Sequence, residues 1–115
     1  MATKEDFYDQ AVDHVADGNL EAAVEAYREA LKIDPDYADV WEGLSMALAD
    51  LERYEEAIEA ATKVVELVPE EQLSYTNISR IYQRAGDVPK AEEWAAKARV
   101  LDWKRQLKEG EPPTE

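Results

Sequence analysis

The chain has 115 residues, with 13 basic and 27 acidic side chains, a formal net charge of −14 and no cysteine. This length predicts a single domain, and the charge excludes nucleic acid and anionic membranes as favourable partners. The lack of cysteine excludes disulfides, thiolate zinc sites and a cysteine nucleophile. An acidic start and the lack of any run of about 20 apolar residues argue against a secretory signal and a membrane span. We therefore expect a cytoplasmic protein.

One pattern of residues returns three times along the chain, in steps of 34 positions. Periods of this size are typical of repeat proteins. The step defines three registers, 4–37, 38–71 and 72–105, within one domain spanning 1–108, and it predicts a disordered tail at 109–115. The positions that return are Phe7, Trp41 and Tyr75, then Leu20, Tyr54 and Val88, then Ala23, Ala57 and Ala91.

Each register contains two helical patterns, and the middle one is the clearest. Apolar residues recur at helical spacing from Trp41 to Leu51 and again from Tyr54 to Val68. In the outer registers Gly18 and Gly86 fall at the matching turn, where glycine tolerates a positive φ. Pro35 and Pro69 end the second helices, Pro89 suits a first turn, and Asp34-Pro35-Asp36 is expected to supply turn and cap chemistry.

The recurring alanines predict where the two helices of each register cross. Antiparallel helices approach to about 8 Å only if small residues face each other. Ala23, Ala57 and Ala91 are assigned to these crossings, and the small residues expected opposite them are Ala11, Ser45 and Ser79.

These residues resemble the tetratricopeptide repeats, a family with a 34-residue pattern of large and small positions. The middle register carries Trp41, Leu44, Leu48, Ala57 and Pro69 at the family's places. Departures are Gln10 at a leucine place, Ala61 and Ala95 at an aromatic place, and Trp103 in place of the third proline. The resemblance implies an all-α solenoid of three antiparallel helix pairs, with the last helix extended to about Lys108, and a concave groove lined by the first helices.

The groove is assigned by carrying over the family's lining positions. The resemblance implies an apolar strip that includes Tyr8, Val12 and Met46, and a rim of acids. The residues we expect to contact a partner are Tyr8, Val12, Asp39, Glu42, Met46, Asn77, Arg80 and Arg84.

Charge is graded along this predicted groove. Residues 1–71 carry 5 basic and 20 acidic side chains, whereas residues 72–115 carry 8 basic and 7 acidic ones. One hypothesis is that an extended partner aligns its basic part with the first two repeats and an acid with Arg80 and Arg84. The alternative is that both arginines belong to a solvated helix face, since exposed charges contribute little.

The carboxylate clamp of one subfamily, which holds acidic chaperone tails, is not expected here. Its lysine and its first asparagine are missing, because the clamp places carry Tyr8, Val12, Gly43, Leu73 and Asn77. His14, the only histidine, lies at a place that is usually a buried aromatic and has no nucleophile pattern beside it. Asp34, Asp36 and Asp39 lack the glycine and closing glutamate of a calcium loop. We therefore expect no cofactor, no metal and no catalysis.

The last helix carries a second apolar stripe, formed by Val100, Trp103 and Leu107 at spacings of 3 and 4. A surface helix normally has one such stripe, so the second asks for a cover. One interpretation is self-association or partner docking at this end. The other is that Trp103 folds back over Trp94 or the tail.

Together these features predict a non-enzymatic adaptor or scaffold that binds a protein or peptide in the groove. The alternative is a structural homo-oligomer, assembled through its ends or by packing groove against convex face, without a separate ligand.

Overall fold

The computed structural model describes residues 1–110, and this part of the chain forms six helices and no strand. Their bounds are α1 Lys4–Ala16, α2 Leu20–Ile33, α3 Ala38–Asp50, α4 Tyr54–Leu67, α5 Gln72–Ala85 and α6 Val88–Lys108. The predicted all-α solenoid of three helix pairs with an extended last helix is confirmed. Most of the predicted disordered tail, residues 111–115, lies outside the described residues, and the single domain over 1–108 stays a prediction.

The helices stack in chain order. Each odd-numbered helix packs on the one that follows it, and α2 and α4 also pack on the first helix of the next pair. Consecutive pairs therefore share one continuous core, in an elongated molecule of 50 × 31 × 21 Å. The α1 backbone also approaches that of α3, whereas α2 and α4 meet through an ion pair between Arg28 and Glu56 at 3.1 Å. The side formed by α1, α3 and α5 is thus the inner, concave one.

Small residues set the closeness of each helix pair, as predicted. Ala23 and Ala57 are completely buried, and Ala91 is 1% exposed. Opposite Ala91, the Ser79 hydroxyl donates a hydrogen bond of 2.7 Å to the Ala91 carbonyl, which shows directly how near α5 and α6 lie. A longer side chain at these positions would have to push the two backbones apart.

Aromatic residues tie the second and third pairs to the turns that precede them. The Trp41 indole donates to the Pro35 carbonyl at 2.7 Å, and the Tyr75 hydroxyl donates to the Pro69 carbonyl at 2.8 Å. The two contacts are related by the 34-residue step. The two accepting carbonyls lie two residues past the ends of α2 and α4, where the chain has left the helix and no helical N–H is available to them.

The three turns inside the pairs share one left-handed backbone conformation. Gly18 has φ 76° and Gly86 has φ 85°, as the sequence predicted. The matching position of the middle pair is Glu52, at φ 62°, the only non-glycine residue with positive φ in residues 1–110. A side chain there costs about 1–2 kcal/mol relative to glycine, so this turn stores local strain.

The expected cap at Asp34-Pro35-Asp36 is partly wrong. The Asp34 carboxylate accepts the Asp36 backbone N–H at 3.1 Å and pairs with Lys4 at 2.7 Å, which makes the turn. The residue at the start of α3 is Tyr37, and no side chain caps this helix. Asp34 does not cap α3, because its carboxylate oxygens already accept hydrogen bonds from the Asp36 backbone N–H and from Lys4.

On α1, at the N-terminal end of the stack, polar residues occupy the positions that carry leucines on α3, one 34-residue step later. Leu44 and Leu48 on α3 are 4% and 1% exposed. Their equivalents on α1 are Gln10, which is exposed, and His14, which is half-buried. The family departure at Gln10 therefore lies on a surface that faces water in this structure.

The outer face of α6 shows the same adaptation at the other end. The stripe by which α2 meets α3 includes buried Val24 and half-buried Leu31. Their equivalents on α6 are the exposed residues Glu92 and Arg99. Stacking another helix pair in register on this face would bury two charges, which is costly unless they are paired.

Candidate partner-binding groove

The groove is the exposed side of α1, α3 and α5. Its central row is formed by Val12, Met46 and Arg80, which the 34-residue step places at equivalent positions of successive helices. Val12 is 43% and Met46 57% exposed, and Arg80 is also exposed. An apolar strip beside acids in the first two repeats thus leads to a cation in the third.

Tyr8 lies at the edge of this strip and is held by other aromatic rings. It stacks on Tyr37 with ring centroids 5.6 Å apart, and it meets Tyr27 at 6.2 Å. The side chain is half-buried. Tyr8 therefore forms a fixed wall, and Val12 and Met46 supply more of the free apolar surface.

A contact that the sequence analysis missed supports the floor of the groove. Tyr27 crosses from α2 to α3, where a Cβ on Gly43 would come within 2.5 Å of the Tyr27 hydroxyl oxygen. Burial raises the pKa of the Tyr27 phenol. The sequence signal for this contact was Gly43 in the middle of a helix. Glycine there lowers helix stability, so its presence indicates that another group needs the space a side chain would fill.

Glu42 and Asn77, both predicted to contact a partner, contact each other. The Asn77 amide donates to the Glu42 carboxylate at 3.4 Å, which links α3 to α5. Burial raises the pKa of the Glu42 carboxyl, repulsion from Glu71 and Asp39 raises it further, and the Asn77 hydrogen bond opposes both. Glu42 is thus a partly desolvated carboxylate whose charge a cation would stabilise.

The two arginines of the predicted basic end differ in their surroundings. Arg84 pairs with Asp50 at 3.0 Å, and about half of each side chain is exposed. Such a pair contributes about 0.2–1 kcal/mol, so a bound anion can replace Asp50 at small cost. Arg80 forms no ion pair within residues 1–110. Arg80 is therefore the more available anion contact.

The long helix α6 adds a surface that the repeat pattern did not contain. It continues past the start of α5, and a cleft of about 600 Å³ opens between the two, with Leu73, Leu101, Lys104 and Lys108 among its lining residues. Across the helix Val100, Trp103 and Leu107 are 50%, 49% and 51% exposed. Trp94 packs against Tyr75 at 6.0 Å instead of meeting Trp103.

Residues 1–110 contain no group of three or more histidine, cysteine or acidic side chains arranged to hold a metal ion. His14 is half-buried beside Phe7 and Gln10 at the N-terminal end of the stack, outside the groove. Within the same described part of the chain, no helix is long and apolar enough to cross a bilayer.

These features define a helical repeat protein with an exposed inner face, and comparison with known proteins agrees. A family model described as tetratricopeptide repeat matches residues 8–72 and 50–105. The chain belongs to the tetratricopeptide repeat family, as its resemblance predicted.

Relatives share this fold at low sequence identity. Anaphase-promoting complex subunit 3 of Schizosaccharomyces pombe is 28% identical over 98 residues, which are 85% of this chain and 15% of that protein. A crystal structure of MamA aligns with a TM-score of 0.84 and 23% identity, over 91% of this chain and 61% of MamA. The second TPR of Spaghetti (RPAP3), bound to the HSP90 peptide SRMEEVD, aligns with a TM-score of 0.77 and 19% identity, over 86% of this chain and 92% of that one. This chain thus spans 15% of the first of these proteins and 61% of the second.

Proposed function

We propose that this protein is a non-enzymatic adaptor that holds an extended polypeptide in the groove on α1, α3 and α5. The observation that carries the proposal is the row Val12, Met46 and Arg80, in which exposed apolar side chains lead to a cation that forms no ion pair within residues 1–110. Exposed apolar surface rimmed by charge is typical of protein interaction sites. The RPAP3 repeat domain, which has the same fold and holds a peptide, supports this use of the groove.

The charge gradient gives the partner a direction. Asp9, Asp39 and Glu42 attract the basic part of a polypeptide toward α1 and α3, and Arg80 attracts an acid toward α5. Among these acids Glu42 is partly desolvated, so a nearby cation would offset the hydration that its carboxylate has lost. The proposed ligand is therefore a segment with an apolar centre, basic residues at one end and acidic residues at the other.

A tail such as the HSP90 peptide is a poor candidate for the same groove. The clamp's lysine and first asparagine are missing, because its places carry Tyr8, Val12, Gly43, Leu73 and Asn77. The Tyr27 ring lies against Gly43, so the groove lacks the space for an asparagine at this position. An acidic peptide would also meet the negative charge of the first two repeats.

A synthetic peptide with a lysine block, an apolar centre and a glutamate block tests this proposal by calorimetry. The wild type should bind it more tightly than a peptide of the same composition with alternating charges. Arg80→Glu/Arg84→Glu should weaken binding by about 3- to 10-fold and leave the melting temperature within a few degrees of the wild type.

Lys63→Glu/Lys90→Glu is the matched control, because it reverses the same number of charges outside the groove. Equal affinities for the two peptides, or equal losses in the two double variants, would contradict the proposed orientation. Capture from a lysate with the wild type and the Arg80→Glu/Arg84→Glu variant, read by mass spectrometry, would then identify the natural partner.

A further inference from the structure

The stripe Val100, Trp103 and Leu107, called the α6 stripe, is an exposed apolar face that the proposed function leaves unused. It lies opposite the face by which α6 packs on α5, where Ala91 and Ala98 are 1% and 5% exposed. All three of its side chains are about half exposed. Exposed apolar surface of this kind is typical of an interaction site, and the charges around it determine which partner surface is complementary to it.

From Lys97 to the end of α6 the charged side chains are basic except Asp102, which pairs with Arg105 at 2.8 Å. Helical spacing places Lys97, Lys104 and Lys108 along one edge of the α6 stripe and Arg99 along the other. Lys97 lies over the Trp94 ring at 4.1 Å and 4.0 Å from Glu93. Lys104, Lys108 and Arg99 have no ion-pair partner in the described part of the chain. Two α6 stripes facing each other would therefore bring like charges together, which disfavours a symmetric helix pair.

The surface that complements a basic, apolar helix is present on this chain itself. In the first two repeats the groove combines exposed Val12 and Met46 with the exposed acids Asp9 and Asp39. The convex cleft beside Glu56 and Glu59 is a poorer match, because Arg28, Lys32 and Arg53 line it as well and would repel a basic helix. The N-terminal end of the stack is excluded as well, since the exposed Gln10 makes it polar.

We propose that the α6 stripe of one copy docks in the acidic half of the groove of a second copy. Trp103 and its apolar neighbours contact Val12 and Met46, while the flanking lysines meet Asp9 and Asp39. Each copy both donates a helix and offers a groove. Two copies that exchange helices reciprocally form a closed two-fold dimer, and copies joined by one such contact each form a ring or an open chain. This inference rests on the proposed use of the groove, and it makes self-association and partner binding compete.

Four variants of the full chain, studied by sedimentation velocity from low to high micromolar concentration, test this contact. The wild type should gain mass with concentration, more strongly at low salt. Trp103→Glu and Asp9→Lys/Asp39→Lys should each stay monomeric. Val88→Glu and Glu55→Lys/Glu59→Lys are the matched controls, with the same changes of charge on exposed residues outside the two surfaces, and both should behave as the wild type.

The decisive step mixes the two monomeric variants. Trp103→Glu keeps an intact groove and Asp9→Lys/Asp39→Lys keeps an intact α6 stripe, so together they should form a two-chain complex that neither forms alone. A wild type that is monomeric at every concentration, a groove variant that associates like the wild type, or a mixture that stays monomeric would each overturn the proposal.

A second measurement separates this inference from the proposed function. Trp103→Glu should bind the lysine–glutamate peptide at least as tightly as the wild type, because its groove is free of a competing helix. Binding of the peptide to a wild type that never self-associates would reject the docking of α6 and retain the adaptor function. Failure of the monomeric Trp103→Glu variant to bind the peptide would reject the adaptor function itself.

Discussion

Ala57→Leu tests the helix crossing on which the stack depends. Ala57 is completely buried, and Ser45, the small residue expected opposite it, is 2% exposed. If space existed, three extra carbon atoms would stabilise the fold by about 2 kcal/mol through burial. The 2.7 Å hydrogen bond between the equivalent residues Ser79 and Ala91 indicates that no such space exists. Overpacking should therefore dominate, with a net loss of about 1–3 kcal/mol.

Thermal and urea unfolding, followed by circular dichroism, measure this loss directly. For a chain of this size the melting temperature should fall by about 5–15 °C. Ala85→Leu, at the exposed last position of α5, is the control and should leave stability nearly unchanged. The sign of the effect is the test, since an Ala57→Leu variant as stable as the wild type or more stable would refute the tight crossing.

Three further substitutions test local features of the fold. Glu52→Gly should raise stability by about 0.5–1 kcal/mol in urea unfolding, because its φ of 62° is strained only with a side chain; a lower midpoint would contradict this. Gly43→Ala should cost about 1–3 kcal/mol in the wild type and less in a Tyr27→Ala background, and a cycle without coupling would refute the contact. The raised pKa of Glu42 means that the folded state holds its proton more tightly, so this group lowers stability as pH rises through the range between its unfolded and folded pKa values. The stability of Glu42→Gln minus that of the wild type should grow from acid to neutral pH, and a constant difference would contradict the shift.

Much of the fold follows from the sequence because each local signal points to the same period. The alanines, the aromatics and the first two prolines recur every 34 residues, and the first helix of each pair begins at the first residue of its register, at 4, 38 and 72. Glu52 was not predicted to share the conformation of Gly18, because nothing in its chemistry favours a positive φ. The equivalent hydrogen bonds of all three turns, such as Arg53 N–H to the Leu48 carbonyl at 2.9 Å, impose it from outside the residue.

Less of the site could be predicted, because contacts between repeats depend on distances that spacing does not contain. The register indicated which residues share a face, but not that Asn77 would reach Glu42 or that Arg84 would reach Asp50. Both contacts join positions about one repeat apart, which is the signal that a search for complementary pairs across the 34-residue step would have found. The Tyr27–Gly43 contact does not follow the 34-residue step. Glycine inside a helix indicated that some group needed the space, but not that this group was the Tyr27 ring.

Amide chemical shifts, recorded by nuclear magnetic resonance during titration with the lysine–glutamate peptide, test the central claim most directly. They should be measured on Trp103→Glu, so that self-association does not contribute. We predict that the largest changes lie along α1, α3 and α5, around Val12, Met46 and Arg80. Changes confined to α2 and α4, around Arg28 and Glu56, would contradict the assignment of partner binding to the groove.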